Sequence, residues 1–234
     1  MNIDDLVATQ RTFLSTPQDL CTILLSGQSG PVVWRGMSDS SWCPKSSLDR
    51  FLETAGLKDR QRTISSLQEN FRQALLHTEM EFPEEDDSFW ASAQHVGLPT
   101  PFLDWSRSPW IALYFAASGI SPHPASQNGV VLRLAIDGMP TSSSDLRTVL
   151  PSGRAGSRRL LAQDGLFTEA IRGDCILEAL ISLGEIARLT AFVFPMTLAG
   201  ELLRVVHSMN IRDIVLFPDL TGAIREAIAV TVRG

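Results

Sequence analysis

Residues 94–118 read QHVGLPTPFLDWSRSPWIALYFAAS, and two kinds of chain meet inside this one stretch. From Gln94 to Ser106, polar side chains are set among turn formers and bulky apolar residues, which is how a pocket rim is built. From Pro109 to Ser118 the residues are almost unbroken apolar after a serine and a proline, the pattern of a buried helix with Ser108 as its cap. The aromatics of that helix are therefore read as core rather than as a ligand stack.

Upstream, Ser15-Thr16-Pro17 opens a short amphipathic helix carrying Leu20, Ile23, Leu24 and Leu25 and stopping around Gly27. Residues 31–35 read as a strand. A longer helix is predicted over 58–82 from the spacing of Ile64, Leu67, Phe71, Leu75 and Met80, and another over 88–95, ended by Gly97 and Pro99. Downstream, Asn128-Gly129 is a turn that opens a strand over 130–136, closed by Gly138 and Pro140. Further strands are predicted over 162–168, 187–194 and 213–217, with helices over 197–209 and 220–230. Helices and strands interleave without a strict βαβ period, so the fold class is α+β: one mixed domain over 1–234, with a central, largely antiparallel or split sheet flanked by helices.

Composition bounds the function. Of the 234 residues, 44% are hydrophobic and 20% charged, enough to bury a core. The net charge of −6 argues against generic capture of nucleic acid, which depends on Lys and Arg neutralising phosphates. One local exception is SGRAGSRR at 152–159, three arginines among glycines and serines that would suit a phosphate, although a polar loop is the preferred reading. EEDD at 84–87 reads as a solvated helix start. Cys21, Cys43 and Cys175 show no metal-ligand spacing and are read as free thiols, so no metal is expected. The acidic N-terminus and the absence of any apolar run near the ~20 residues of a membrane span place the chain in the cytoplasm, away from membranes. Neither G-x-G-x-x-G nor the Walker pattern occurs.

Two constellations carry chemistry. Arg35 ends an apolar strand and is followed by Gly36, which lets the backbone turn or approach a ligand; its guanidinium fork suits a carboxylate or diphosphate. An ion pair with Asp104 is the structural alternative. In the second, His95 is either a group acting near neutral pH or a structural hydrogen-bonder. Asp104, between Leu103 and Trp105, is expected to be partly buried and to need Arg35 or a helix's first turn as partner. No Ser/His/Asp order is present.

Trp34-Arg35-Gly36, AQHVGLP at 93–99, LDWS at 103–106 and ALYFA at 112–116 resemble the FRG domain. Gln163-Asp164-Gly165-Leu166-Phe167-Thr168 looks like that family's later Q-x-G-x-F element, and LFPDL at 216–220 like its closing segment, so the similarity runs over about 31–228. Trp34 stands for the name-giving Phe. Pro101 stands where the family commonly has a basic residue, which puts a double-arginine anion clamp in doubt, and Thr221 stands where Asp is common and is read as a helix cap.

The order of parts is also similar to ADP-ribosyltransferases. That likeness implies a domain using NAD as substrate, an ADP-ribosyltransferase or NAD glycohydrolase of toxin or defence type, with a dinucleotide or other anionic small ligand and a protein target as partners. Arg35 would hold the pyrophosphate, with Gly36 and Thr100 beside the ligand and Trp105 or Phe167 against a ring. Arg35, His95, Asp104 and Gln163, the last on a late strand, would form the catalytic set. The glutamate expected two residues after Gln163 is replaced by Gly165, which leaves Glu169, Glu178 or Asp104 for its role. The alternative is a noncatalytic module binding a nucleotide, a modified base or an acidic tail through the same pocket.

Overall fold

The computed structural model describes residues 3, 6, 10–26, 30–119, 128–139, 145–149, 158–173 and 175–233, the side chains of 232–233 excepted. The order is β1 (Arg11–Phe13), α1 (Pro17–Leu25), β2 (Val32–Met37), α2 (Ser47–Ala55), α3 (Arg60–Leu75), α4 (Asp86–His95), β3 (Leu103–Ser106), α5 (Pro109–Ser118), β4 (Asn128–Ala135), β5 (Leu146–Val149), α6 (Arg158–Ala162), β6 (Gly165–Ala170), α7 (Ile176–Ser182), β7 (Leu189–Pro195), α8 (Ala199–Ser208), α9 (Asp213–Leu216) and α10 (Leu220–Arg233).

The described strands form one sheet in the order β1-β7-β4-β2-β3-β6-β5. Only β1–β7 is parallel; the other neighbours run antiparallel. The fold is thus α+β, as the sequence pattern predicts. Its centre is the weak seam. β2 pairs with β4 from Val32↔Ala135 to Met37↔Val130, and β3 with β6 from Leu103↔Thr168 to Ser106↔Gly165, yet β2 and β3 match only at Trp34↔Ser106. Beyond that point the two half-sheets part.

Strand alternation divides the core between the faces. Val33 and Met37 join Leu103, Trp105, Leu132 and Leu166 in a cluster under α7, whereas Trp34 packs with Val131, Phe192 and Phe194 beneath α5 and α8. A third cluster, Phe89, Trp90, Phe102, Val149 and Phe167, lies under α3 and α4. α5 begins where its serine and proline predict, the Ser108 hydroxyl accepting from the Ile111 amide. It lies so close on β2 that a Cβ on Gly36 would come 1.8 Å from the Ala112 carbonyl oxygen. Gly36 is mid-strand, paired with Val131; its missing side chain makes room for the helix rather than for a turn or a ligand.

Three boundaries differ from expectation. Residues 162–168 are not one strand: α6 ends at Ala162, Gln163 and Asp164 form a turn with Asp164 at φ 45°, and β6 starts at Gly165. Residues 213–217 make a single helical turn stopped before Pro218, because so short an apolar run carries no decisive period. The helix predicted over 58–82 is α3 alone, with Met80 exposed beyond its end. Of SGRAGSRR, residues 152–157 lie outside the described residues, as do Gly27 and Pro140; Arg158 and Arg159 open α6. No described helix is long and apolar enough to cross a membrane.

Candidate active site

A cavity of about 900 Å³ lies where β2 and β3 part. Its wall takes Arg35 and Gly36 from β2, Gln94 and His95 from α4, Asp104 and Trp105 from β3, and Gln163 from the turn before β6. The four residues predicted as the catalytic set therefore meet on one cavity, although they come from four separate segments.

Arg35 is held at the seam. Its Nη1 donates to the Asp104 backbone carbonyl at 2.7 Å, in place of the strand bonds that β2 and β3 do not make there. The carboxylate of Asp104 is farther, 3.8 Å, and its side chain is 55% exposed against 19% for Arg35. This is not a buried ion pair, and Asp104 is not buried as expected: with Leu103 and Trp105 in the core, alternation points it away. Gln94 orients it, donating from Nε2 to Asp104 Oδ1 and accepting the Thr100 hydroxyl on Oε1. Burial pulls the Arg35 guanidinium below its ordinary pKa, Asp104 opposes that, and Arg50 adds to it. An arginine keeps its proton regardless, so the meaning is an under-compensated cation suited to an anionic ligand.

Residues 30–124 match the family model of the FRG domain. Over that segment the chain is similar to the FRG domain. No curated protein and no solved structure matches the chain. The matched segment holds Arg35, His95 and Asp104, and the cavity draws the rest of its wall from beyond it, at Arg159, Leu160, Gln163 and Phe167.

His95, inside the matched segment, has its Nε2 3.4 Å from Asp219 Oδ2, outside it, linking α4 to the start of α10. Asp219, not Thr221, caps that helix: its Oδ1 accepts from the Thr221 and Gly222 amides at 2.8 and 3.3 Å. Burial works to raise the Asp219 carboxyl, but those amides, the Thr221 hydroxyl and His95 outweigh it and hold it below the usual range. A depressed carboxyl stabilises the fold above its unfolded pKa and loses that contribution as pH falls through the folded one. Asp219→Ala is therefore expected to cost about 1 kcal/mol at pH 7, with the gap to wild type closing as pH falls below the ordinary carboxylate range, as read by urea unfolding.

Other predicted site residues are structural. Gln163 reaches the cavity, but its Nε2 donates to the Leu216 carbonyl and its own carbonyl accepts from Ser106, so it ties β3 to the closing motif. Thr100 is fully buried and does not line the cavity. Trp105 and Phe167 line it as core walls, each 3% exposed, Trp105 bonded to Thr168 Oγ1 and Phe167 stacked on Phe102. A Cβ on Gly165 would come 2.5 Å from Leu160 Cδ1 and 3.2 Å from the Leu160 carbonyl oxygen, so a side chain there requires the Leu160 side chain to move. Glu169 is buried and answers Arg147 and Arg60, and Glu178 caps α7; neither reaches the cavity.

Lys45, Arg50 and Glu53 carry charge that the sequence pattern did not mark, whereas Arg159 belongs to SGRAGSRR, where a polar loop was preferred over a phosphate site. Lys45, Arg50 and Arg159 line the cavity beside Arg35, and Glu53 joins Asp104 as the second carboxylate among the described lining residues. Pro101 does not line it, so the basic residue missing at that position leaves arginines contributed from α2 and α6. Arg159 lies over the Phe217 ring at 4.3 Å; burial lowers its pKa, with Asp104 opposing. Cys43, another lining residue, hydrogen-bonds the Cys175 thiol, a pairing invisible in their sequence spacing.

Proposed function

We propose that this cavity binds NAD or a closely related dinucleotide and that the domain breaks the bond between its ribose and nicotinamide. The observation that carries the reading is charge: among the described residues, four cations and two carboxylates line one cavity of a chain whose net charge is −6. Glu53 is engaged by Lys45, which leaves Arg35, Arg50 and Arg159 for an anion such as a pyrophosphate. Asp104, exposed and oriented by Gln94, is the carboxylate able to steady positive charge developing on the sugar. Transfer of the ADP-ribosyl group to a protein target or to water would follow.

A second reading, a noncatalytic nucleotide-binding module, is favoured by one observation: no glutamate from β6 reaches the cavity. Incubating the purified chain with NAD while following free nicotinamide separates the two. Asp104→Asn is expected to abolish release while ADP-ribose affinity stays within about threefold; a charged hydrogen bond lost at Arg35→Ala lowers that affinity about a hundredfold. Binding without release supports the module, and neither binding nor release overturns the proposal.

A further inference from the structure

Trp42 is 46% exposed, and among the described residues it is the one exposed large apolar side chain that lines the cavity. It is displayed on a well-anchored loop. On one side, Asp39 is buried and its Oδ1 accepts from the Ser41 amide at 2.8 Å and the Ser41 hydroxyl at 2.6 Å, while the Ser40 amide donates to the Asn128 carbonyl at 2.9 Å. The Trp42 amide closes the turn onto the Asp39 carbonyl at 3.3 Å. On the other side, the Lys45 carbonyl accepts from Arg50 Nη1 at 2.5 Å and the Pro44 carbonyl from the Ile176 amide at 3.3 Å.

An indole left in water on a loop free to move would fold onto the nearest apolar surface. This loop is tied on both flanks, and its ring stays at the mouth of a cavity that also carries Lys45 and Arg50. The other exposed aromatic, Phe13, is covered by the Arg11 guanidinium at 4.8 Å, whereas among the described residues no ring or guanidinium stacks on Trp42. Trp34, Trp90 and Trp105 are buried, at 2%, 4% and 3% exposure. A flat, pre-placed π surface next to cations matches a ligand that is itself a planar heterocycle joined to phosphate.

We infer that Trp42 is the ring subsite of the cavity, the surface on which one heterocycle of the ligand stacks while its phosphates meet the arginines. The inference rests on the dinucleotide reading and names the residue that distinguishes a nucleotide from a bare polyanion. Trp42 takes the ring-packing role that Trp105 and Phe167, as core walls, do not fill.

Calorimetric titration of wild type, Trp42→Ala, Trp42→Phe and Arg35→Ala with ADP-ribose, AMP, nicotinamide mononucleotide and inorganic pyrophosphate tests it. Stacking on an aromatic contributes enough that Trp42→Ala is expected to weaken ADP-ribose roughly ten- to a hundredfold, with Trp42→Phe within about fivefold of wild type. Pyrophosphate affinity stays within about twofold in both Trp42 variants. The mononucleotide that loses more identifies which ring stacks. Equal ADP-ribose affinity in wild type and Trp42→Ala, with Arg35→Ala impaired, overturns the ring subsite and leaves the dinucleotide site standing. Wild type binding pyrophosphate as tightly as ADP-ribose also overturns it. A wild type that binds none of the four probes overturns both readings.

Discussion

Gly36→Ala is expected to destabilise the fold by at least about 3 kcal/mol, enough to leave most of a marginally stable chain unfolded. The added Cβ would come 1.8 Å from the Ala112 carbonyl oxygen and 2.6 Å from the Ala116 amide nitrogen. Both are backbone atoms of α5, so no rotamer change relieves the contact; the helix must lift off β2. α5 is buried along Ile111, Ala112, Leu113, Tyr114, Ala116 and Ala117, and lifting it opens the cluster that holds Trp34, Val131 and Phe194. Gly200→Ala is the control. Gly200 lies in α8 with nothing near its missing side chain, and alanine there is expected to be neutral or to stabilise by up to about 1 kcal/mol. Urea unfolding of both variants measures the contrast.

Glu169→Gln is expected to cost about 3–5 kcal/mol without touching the cavity. Glu169 is 7% exposed, and its two oxygens answer Arg147 at 2.7 Å and Arg60 at 3.6 Å. Arg147 also holds Asp87 at 2.9 Å, and Arg60 holds Asp49 at 2.9 Å, so the carboxylate joins β6 and β5 to α2, α3 and α4 through one partly buried network. Removing its charge leaves two guanidinium groups under-paired in a poorly solvated place, and Arg60 already has a buried Nη2 without a partner. ADP-ribose affinity measured below the lowered unfolding midpoint should match wild type. A stable variant with lost binding would instead return Glu169 to the site.

Where local chemistry decides, the sequence was legible. The cap and proline of α5 and the proline start of α1 are signals within a few residues, and each stands where it was read. Asn128-Gly129, read as a turn before the strand, is instead the first pair of β4, in register with Pro195 and Phe194 of β7. Arg35, His95 and Asp104 were legible as cavity residues because turn formers and polar groups cluster around them. Parity within Leu103-Asp104-Trp105 already implied that if the tryptophan enters the core, the aspartate leaves it; the expectation of a buried Asp104 overlooked this. The Asp164-Gly165 pair is likewise a turn signal that an apolar run obscured, which put Gln163 on a strand it does not join. Lys45, Arg50 and Trp42 were out of reach for a different reason. They sit on a loop and an exposed helix face, and only the parting of β2 from β3 brings them to the same cavity as Arg35.

Titration of the intact chain with ADP-ribose, in wild type and Arg35→Ala, tests the central claim most directly. Binding at one site per chain, weakened by added salt and reduced about a hundredfold in Arg35→Ala while the unfolding midpoint stays near wild type, is the predicted result. Equal affinity in the two proteins, or no binding by wild type, would contradict it.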